Sequence, residues 1–333
     1  MIGRRAFLGG TASVVTAAVA GVRPRPAGAE PPPETTRIRL ARVPSICRAP
    51  QYMTEDLLRA EGFNDIQYLS WPDTTQAGKA AAAGDVDITM QYVGPSIMQL
   101  DVGASLVFLA GVQPGCFELF GTDRVRSIRD LKGKTIAVDQ SAGSAYTFAA
   151  SMMTYVGLDP RRDVTWSKIP TEEAKEHLAA GKIDAFLALP PDPQELRARR
   201  IGHVIVNSIK DRPWSQYFCC MIVGHREFVR KHPAATKRTV RAILKAADAC
   251  VADPARAARF LVDKGYTDHY EYALQALKDI PYNKWREYDH EDTVRFYALR
   301  LHEAGMIKSS PKTIIARGTD WRFLNELKRE LKG

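Results

Sequence analysis

Ala82-Ala83-Gly84-Asp85-Val86-Asp87-Ile88 and Ala179-Ala180-Gly181-Lys182-Ile183-Asp184-Ala185 are one pattern written twice. In each copy an alanine-rich helix stops at a glycine, the residue best suited to the left-handed position after a helix. One residue is skipped, and a strand opens with an apolar residue and an aspartate. Two halves built on one plan produce such an echo. Alanine-rich helices ending in glycine are also common, so the echo needs the rest of the chain beside it.

Working outward, short apolar runs alternate with amphipathic stretches, the pattern of an α/β fold with largely parallel sheets. Before the first copy, the sequence predicts a strand at 38–43, a helix at 51–61 and a strand at 66–71. Asp73 is placed to cap the next helix, with Gln76 three residues on. The strand at 86–90, a helix at 93–102 and strands at 105–110 and 117–121 complete the first half. The second half runs from a strand at 135–138 through a helix beginning at Ser141, with Ala145, Phe148, Ala149, Met152 and Val156 on one face. A strand at 164–169, a helix capped by Thr171 and a strand at 183–189 follow. A strand at 217–223 precedes a helical remainder, 227–332. There Val240, Ile243, Leu244, Ala247 and Val251 form the clearest stripe.

The 333 residues are 45% hydrophobic and 26% charged, ordinary for a globular chain and unlike a disordered or collagen-like one. The formal charge is +9, yet the first 29 residues hold four arginines (Arg4, Arg5, Arg23, Arg25) and no acid. The rest carries 43 basic against 38 acidic residues, a net of +5. Nucleic acid is therefore not an expected partner. The arginine pair, the weakly apolar stretch 9–22 and Ala27-Gly28-Ala29 resemble a twin-arginine (Tat) export signal cleaved before Glu30. The expected product is a soluble periplasmic protein with a short leader at 30–36.

Five cysteines (Cys47, Cys116, Cys219, Cys220, Cys250) are an odd number without zinc spacing, and they read as buried thiols. Gly-x-Ser-x-Gly, the phosphate loop and His-Glu-x-x-His are all absent. Glu173 and His177 read as a solvated helical pair, and Asp289-His290-Glu291-Asp292 as a polar helix entry. No enzyme, metal or cofactor is expected.

The paired Ala-Gly-x-Ile/Val-Asp segments are joined by 130–138, Asp-Leu-Lys-Gly-Lys-Thr-Ile-Ala-Val, leading to Ser141-Ala142-Gly143-Ser144. With the return segment 217–225, then Glu227-Phe228-Val229 and His232-Pro233, their order resembles the solute-binding proteins of ABC importers. Within these it is similar to the binders of sulfonate, taurine, nitrate and thiamine precursors. The resemblance implies a type II periplasmic binding protein fold: two α/β lobes, each a mostly parallel sheet flanked by helices, joined by two crossover strands. Segments 37–123 and 214–333 would form one lobe and 124–213 the other. It also implies a monomer that delivers its ligand to a permease and ATPase. Fungal thiamine-pyrimidine synthases, a related branch, carry a cysteine-rich run of which Phe218-Cys219-Cys220 is a fragment; the export signal argues against that intracellular role.

Ser141, Gly143 and Ser144 mark a helix start, where free backbone N–H groups and the helix dipole favour an anion; a plain helix cap is the other reading. The resemblance places ligand contacts in the loops after the first and third strands, hence Cys47, Arg48, Tyr52, Gln91 and Tyr92. Arg48 is able to pair bidentately with a carboxylate or sulfonate, or to be a solvated surface residue. Tyr52, Tyr92, Phe117, Tyr146 and Tyr217 would supply an aromatic wall or pack in the core. Gln113 and Asp192 lie on further cleft loops. The expected ligand is a small organic anion, with a heterocycle such as a thiamine-pyrimidine precursor as the alternative.

Overall fold

The computed structural model describes residues 30–139 and 143–331, and the described residues from 32 onward make up one compact unit. The export-signal reading of 1–29 and the site role of Ser141 lie outside the described residues.

The chain first lays down β1 (Arg37–Arg42), a 3-10 turn at Ile46–Arg48, α1 (Ala49–Tyr52), α2 (Glu55–Ala60), β2 (Asp65–Ser70), α3 (Thr74–Ala83), β3 (Ile88–Tyr92), α4 (Val93–Asp101) and β4 (Leu106–Pro114). It then forms β5 (Glu118–Gly121), β6 (Thr135–Val138), α5 (Ser144–Tyr155), β7 (Thr165–Lys168), α6 (Thr171–Ala179), β8 (Ala185–Ala188), α7 (Asp192–Arg199) and β9 (His203–Asn207). After β10 (Phe218–His225), the remainder is helical. It contains α8 (Arg226–Lys231), α9 (Pro233–Ala252), α10 (Pro254–Asp263), α11 (Tyr270–Asp279), α12 (His290–Glu303), α13 (Pro311–Gly318) and α14 (Arg322–Glu330).

The two echoing segments do the same mechanical work. The Asp87 carboxylate accepts the Arg39 backbone N–H at 2.8 Å, and the Asp87 N–H returns to the Arg39 carbonyl at 3.0 Å. Asp184 repeats this with Thr135, at 2.9 Å in both directions. Each carboxylate also holds an arginine that reaches the carbonyl of the preceding glycine: Arg39 to Gly84 at 2.8 Å, Arg124 to Gly181 at 3.0 Å. Both glycines have positive φ, 85° and 68°, where a Cβ would be strained.

Through the Asp87 bridge, the parallel pair β1-β2 is set beside the sheet β3-β10-β4. The resulting order, β2-β1-β3-β10-β4, has the same plan as the other sheet, β7-β6-β8-β5-β9. In each, the fourth strand alone is antiparallel to its neighbours, β10 against β3 and β4, β5 against β8 and β9. That strand has just arrived from the other half of the chain. Strand Glu118–Gly121, which the sequence reading put with the first segment, therefore belongs to the second sheet, because the chain crosses at residues 115–117. The return crossing meets it there. Ser208 N–H donates to the Phe117 carbonyl at 2.9 Å, and the Cys116 N–H donates to Ser208 Oγ at 3.1 Å. A Cβ on Gly115 would lie 2.4 Å from the Ser208 carbonyl oxygen, so only glycine fits.

Other expectations shift for local reasons. The helix expected at 51–61 is two short ones. Gln51 turns inward to the Ala41 carbonyl, and Thr54 Oγ1 donates to the Gln51 carbonyl at 2.7 Å, closing the first helix early. The strand expected from Val86 starts at Ile88, since Asp87 serves the bridge to β1. Asp73 caps α3 through the Gln76 N–H, whereas Thr171 makes no cap bond. Along α9 the stripe is buried except Val251, which is 37% exposed in the last turn.

Burial alone would raise the Asp184 carboxyl, but the Thr135 amide and the Arg124 guanidinium outweigh it and hold the group below its ordinary 3.8. Its stabilisation is therefore complete above about pH 4 and is lost as pH falls through the lower native value. Asp184→Asn is expected to cost about 1–3 kcal/mol at neutral pH in urea unfolding. The gap to the parent should narrow in acid; an equal gap at all pH values would contradict the ionic account.

Candidate ligand site

The first sheet assembles a polar cluster where its parallel strands end. Pro44 and Ser45 leave β1, and the 3-10 turn tucks Ile46, Cys47 and Arg48 into the interior. Pro50 occupies the first turn of α1, where its missing N–H costs nothing. Gln91 and Tyr92 are the last two residues of β3, and Gln113 lies at the end of β4. Cys220 of β10 stands between them, in register with Tyr92 on one side and Gln113 on the other.

Arg48 is fully buried. Its Nη2 donates to Gln91 Oε1 at 2.9 Å, and its guanidinium carbon lies 5.9 Å from the centre of the Tyr92 ring. Its Nε and Nη1 find no partner, and among the described residues no carboxylate pairs with it. Gln91 Nε2, the Tyr92 hydroxyl and Gln113 Oε1 are likewise buried without hydrogen-bond partners among the described residues. Burial pushes the Tyr92 phenol well above its ordinary range, so it is a neutral O–H donor. The cluster is thus rich in donors and carries one uncompensated positive charge. Such a charge is costly in the interior unless an anion meets it.

The second half contributes the start of α5. Gly143 is its N-cap residue, and the Thr147 N–H bonds back to the Gly143 carbonyl at 3.1 Å. The amides of the first turn have no intrahelical acceptor and form the positive end of the helix dipole. Ser144, Thr147, Tyr92, Phe117, Cys219 and Tyr297 line a cavity of about 10 Å³, room for a single water. Ser144 also borders a wider opening of about 190 Å³ between the halves, with Pro44, Thr75, Asp139 and Gly143. On one flank the halves touch: a Cβ on Gly94 of α4 would lie 2.9 Å from Thr147 Oγ1.

Tyr92 joins the polar cluster to the small cavity, whereas Arg48, Gln91 and Gln113 line neither opening; the remaining expected residues lie elsewhere. The Tyr52 hydroxyl donates to the Val43 carbonyl at 2.7 Å, and its ring stacks on Tyr266 at 4.0 Å, so it packs in the core. Tyr146 packs edge-on against Trp166, and Tyr217 stacks on Phe296 at 4.0 Å; neither borders either cavity. Cys47 is buried behind Arg48, its carbonyl accepting the Tyr282 hydroxyl. Asp192 faces the buried Lys175 ammonium, which Glu172 and Glu195 also contact; burial raises Asp192 to about 6 despite that partner. An ammonium thus fills the centre of this carboxylate cluster.

Thr147 and Tyr297 were not read as site residues. Thr147 lies off the apolar stripe of its helix, the one sequence signal for it. Tyr297 comes from α12, too remote in the chain for any local pattern to reveal.

Comparison with known proteins adds relatives to this geometry. The alkanesulfonate-binding protein SsuA from Xanthomonas axonopodis pv. citri, bound to MOPS, superposes with a TM-score of 0.69 at 16% identity, over 86% of this chain and 99% of that one. The periplasmic nitrate-binding protein NrtA from Synechocystis PCC 6803 gives 0.73 at 14% identity, over 91% and 90%. These likenesses establish the periplasmic binding protein fold. The nitrate import ATP-binding protein NrtC of Synechocystis is 25% identical over 140 residues, 39% of this chain; the chain spans about a fifth (21%) of that relative's length. A family model matches residues 31–261, and the chain belongs to the NMT1-like family.

Proposed function

We propose that this chain is the solute-binding component of an ABC importer, which closes around a small organic anion and presents the closed form to a permease and its ATPase. It is read as a binder, not an enzyme. The observation that carries the reading is Arg48, a buried guanidinium with two unpartnered nitrogens and no carboxylate, set among the donors of Gln91 and Tyr92. The printed names of the neighbours, alkanesulfonate-binding and nitrate-binding, fit that charge. In this reading 37–114 and 218–331 form one lobe, 118–207 the other, and the crossings at 115–117 and 208–217 are the hinge.

The aromatic run of Tyr92, Phe117 and Phe148, with successive ring centres 5.4 and 4.8 Å apart, supports a ring-bearing acid or a pyrimidine as the second ligand class. A thermal-shift screen over sulfonates, carboxylates, nitrate and pyrimidines tests both. A hundredfold excess over Kd stabilises by about 2.7 kcal/mol. No response to any of these solutes would refute the assignment.

Arg48→Met separates binding from packing because the two effects have opposite signs. Anion affinity is expected to fall by about 1.5–3 kcal/mol in calorimetry, while the ligand-free thermal midpoint rises as an unpaired buried charge is removed. Unchanged affinity would remove Arg48 from the site. Gly94→Val is expected to wedge α4 from α5, so that adding ligand no longer shrinks the radius of gyration in solution scattering. Undiminished shrinkage would show that this contact plays no part in closure.

Export to the periplasm through the Tat route belongs to the same proposal. Lysines at Arg4 and Arg5 are expected to leave the precursor in the cytoplasm on fractionation. Normal export of that variant would argue for another route.

A further inference from the structure

Two of the described cysteines meet where the chain crossings come together. Cys116 lies in the outward crossing, between β4 and β5, and Cys219 is the second residue of β10, just past the return crossing. Their sulfurs are 3.6 Å apart although the residues are 103 positions apart in the chain. Both side chains are buried, and Cys219 lines the small cavity that Tyr92 and Ser144 also border.

We propose that Cys116 and Cys219 are a peroxide-oxidisable dithiol whose disulfide ties the two chain crossings to each other. A disulfide brings the sulfurs to about 2.0 Å, an approach of about 1.6 Å from their present separation. The crossings are already held together by the Ser208 bonds to Cys116 and Phe117, and the residues flanking Cys219 pair with the end of β4, Phe218 with Pro114 and Cys220 with Gln113.

The chemistry is a two-electron oxidation. The Cys116 thiolate attacks one peroxide oxygen, the O–O bond breaks, and the departing hydroxide takes a proton to leave as water. Cys219 sulfur then attacks the Cys116 sulfenic sulfur, forming the S–S bond and releasing the second water with the Cys219 proton. Two thiols and one peroxide become one disulfide and two waters. The charge pattern suits these roles. Burial alone raises a thiol, but the hydrogen bonds of Cys219 and Cys47 outweigh it at Cys116 and hold that group well below the ordinary range. Cys219 is pushed well above its range by burial and by Cys116, so it keeps its proton until the second step. Cys47 also lies against Cys116 and is the competing partner.

The test uses the reduced full chain, treated with hydrogen peroxide, quenched and digested under denaturing conditions. The expected result is loss of two of the five thiols and a peptide joining Cys116 to Cys219, lighter by two hydrogens and cleaved by dithiothreitol. The urea midpoint of the oxidised protein should rise and return on reduction. Cys219→Ser should abolish the link and Cys47→Ser should leave it intact. All five thiols surviving, a Cys47–Cys116 link, or two thiols still lost in Cys219→Ser would each overturn the proposal. If Cys219→Ser does not fold, the peptide map of the parent chain decides alone.

Discussion

An aspartate at the mouth of a strand organises both halves of this molecule. Asp87 and Asp184 each satisfy an amide on the neighbouring strand, accept an arginine, and send their own N–H back across the gap. That exchange fixes β1 against β3, and in the second half it extends the β6-β8 ladder at the edge where the helices begin. The arginines differ in origin, one from within β1 and one from the loop after β5, yet both reach the glycine carbonyl that ends the preceding helix. Turn, strand entry and sheet register are thereby set by one side chain per half.

That register determines what reaches the site. Tyr92, Cys220 and Gln113 form a row across three strands, and Arg48 is brought beside it by the buried turn after β1. The guanidinium is held by packing and by its hydrogen bond to Gln91. An interior that keeps an unpaired guanidinium accepts a cost in the free protein, and in the proposed function an incoming anion would remove it. The dipole of α5 adds to the same field from the other half.

The echoing segments made the architecture legible because a helix stop and a strand start are local events. Gln91, Tyr92 and Arg48 were picked out because parallel strands expose their carboxyl ends to the crevice, and the structure brings the three side chains together, while their binding role stays a proposal. Tyr52 misled because spacing cannot show that its hydroxyl is already bonded to the Val43 carbonyl. Glu118–Gly121 was assigned to the wrong sheet because a crossing of three residues, 115–117, has no composition of its own. Tyr297 was out of reach: its place in the wall depends on how a helix two hundred residues from Tyr92 folds back over the first sheet.

Each sheet borrows its fourth strand from the opposite part of the polypeptide. Neither half is therefore a module that would survive severance. A fragment ending before β10 would expose the flanks of β3 and β4, and the complementary piece without β5 would bare β8 and β9, open edges that invite aggregation. Maturation of this protein is thus a single event in which widely separated pieces must find one another before either is finished, a topology that favours slow folding.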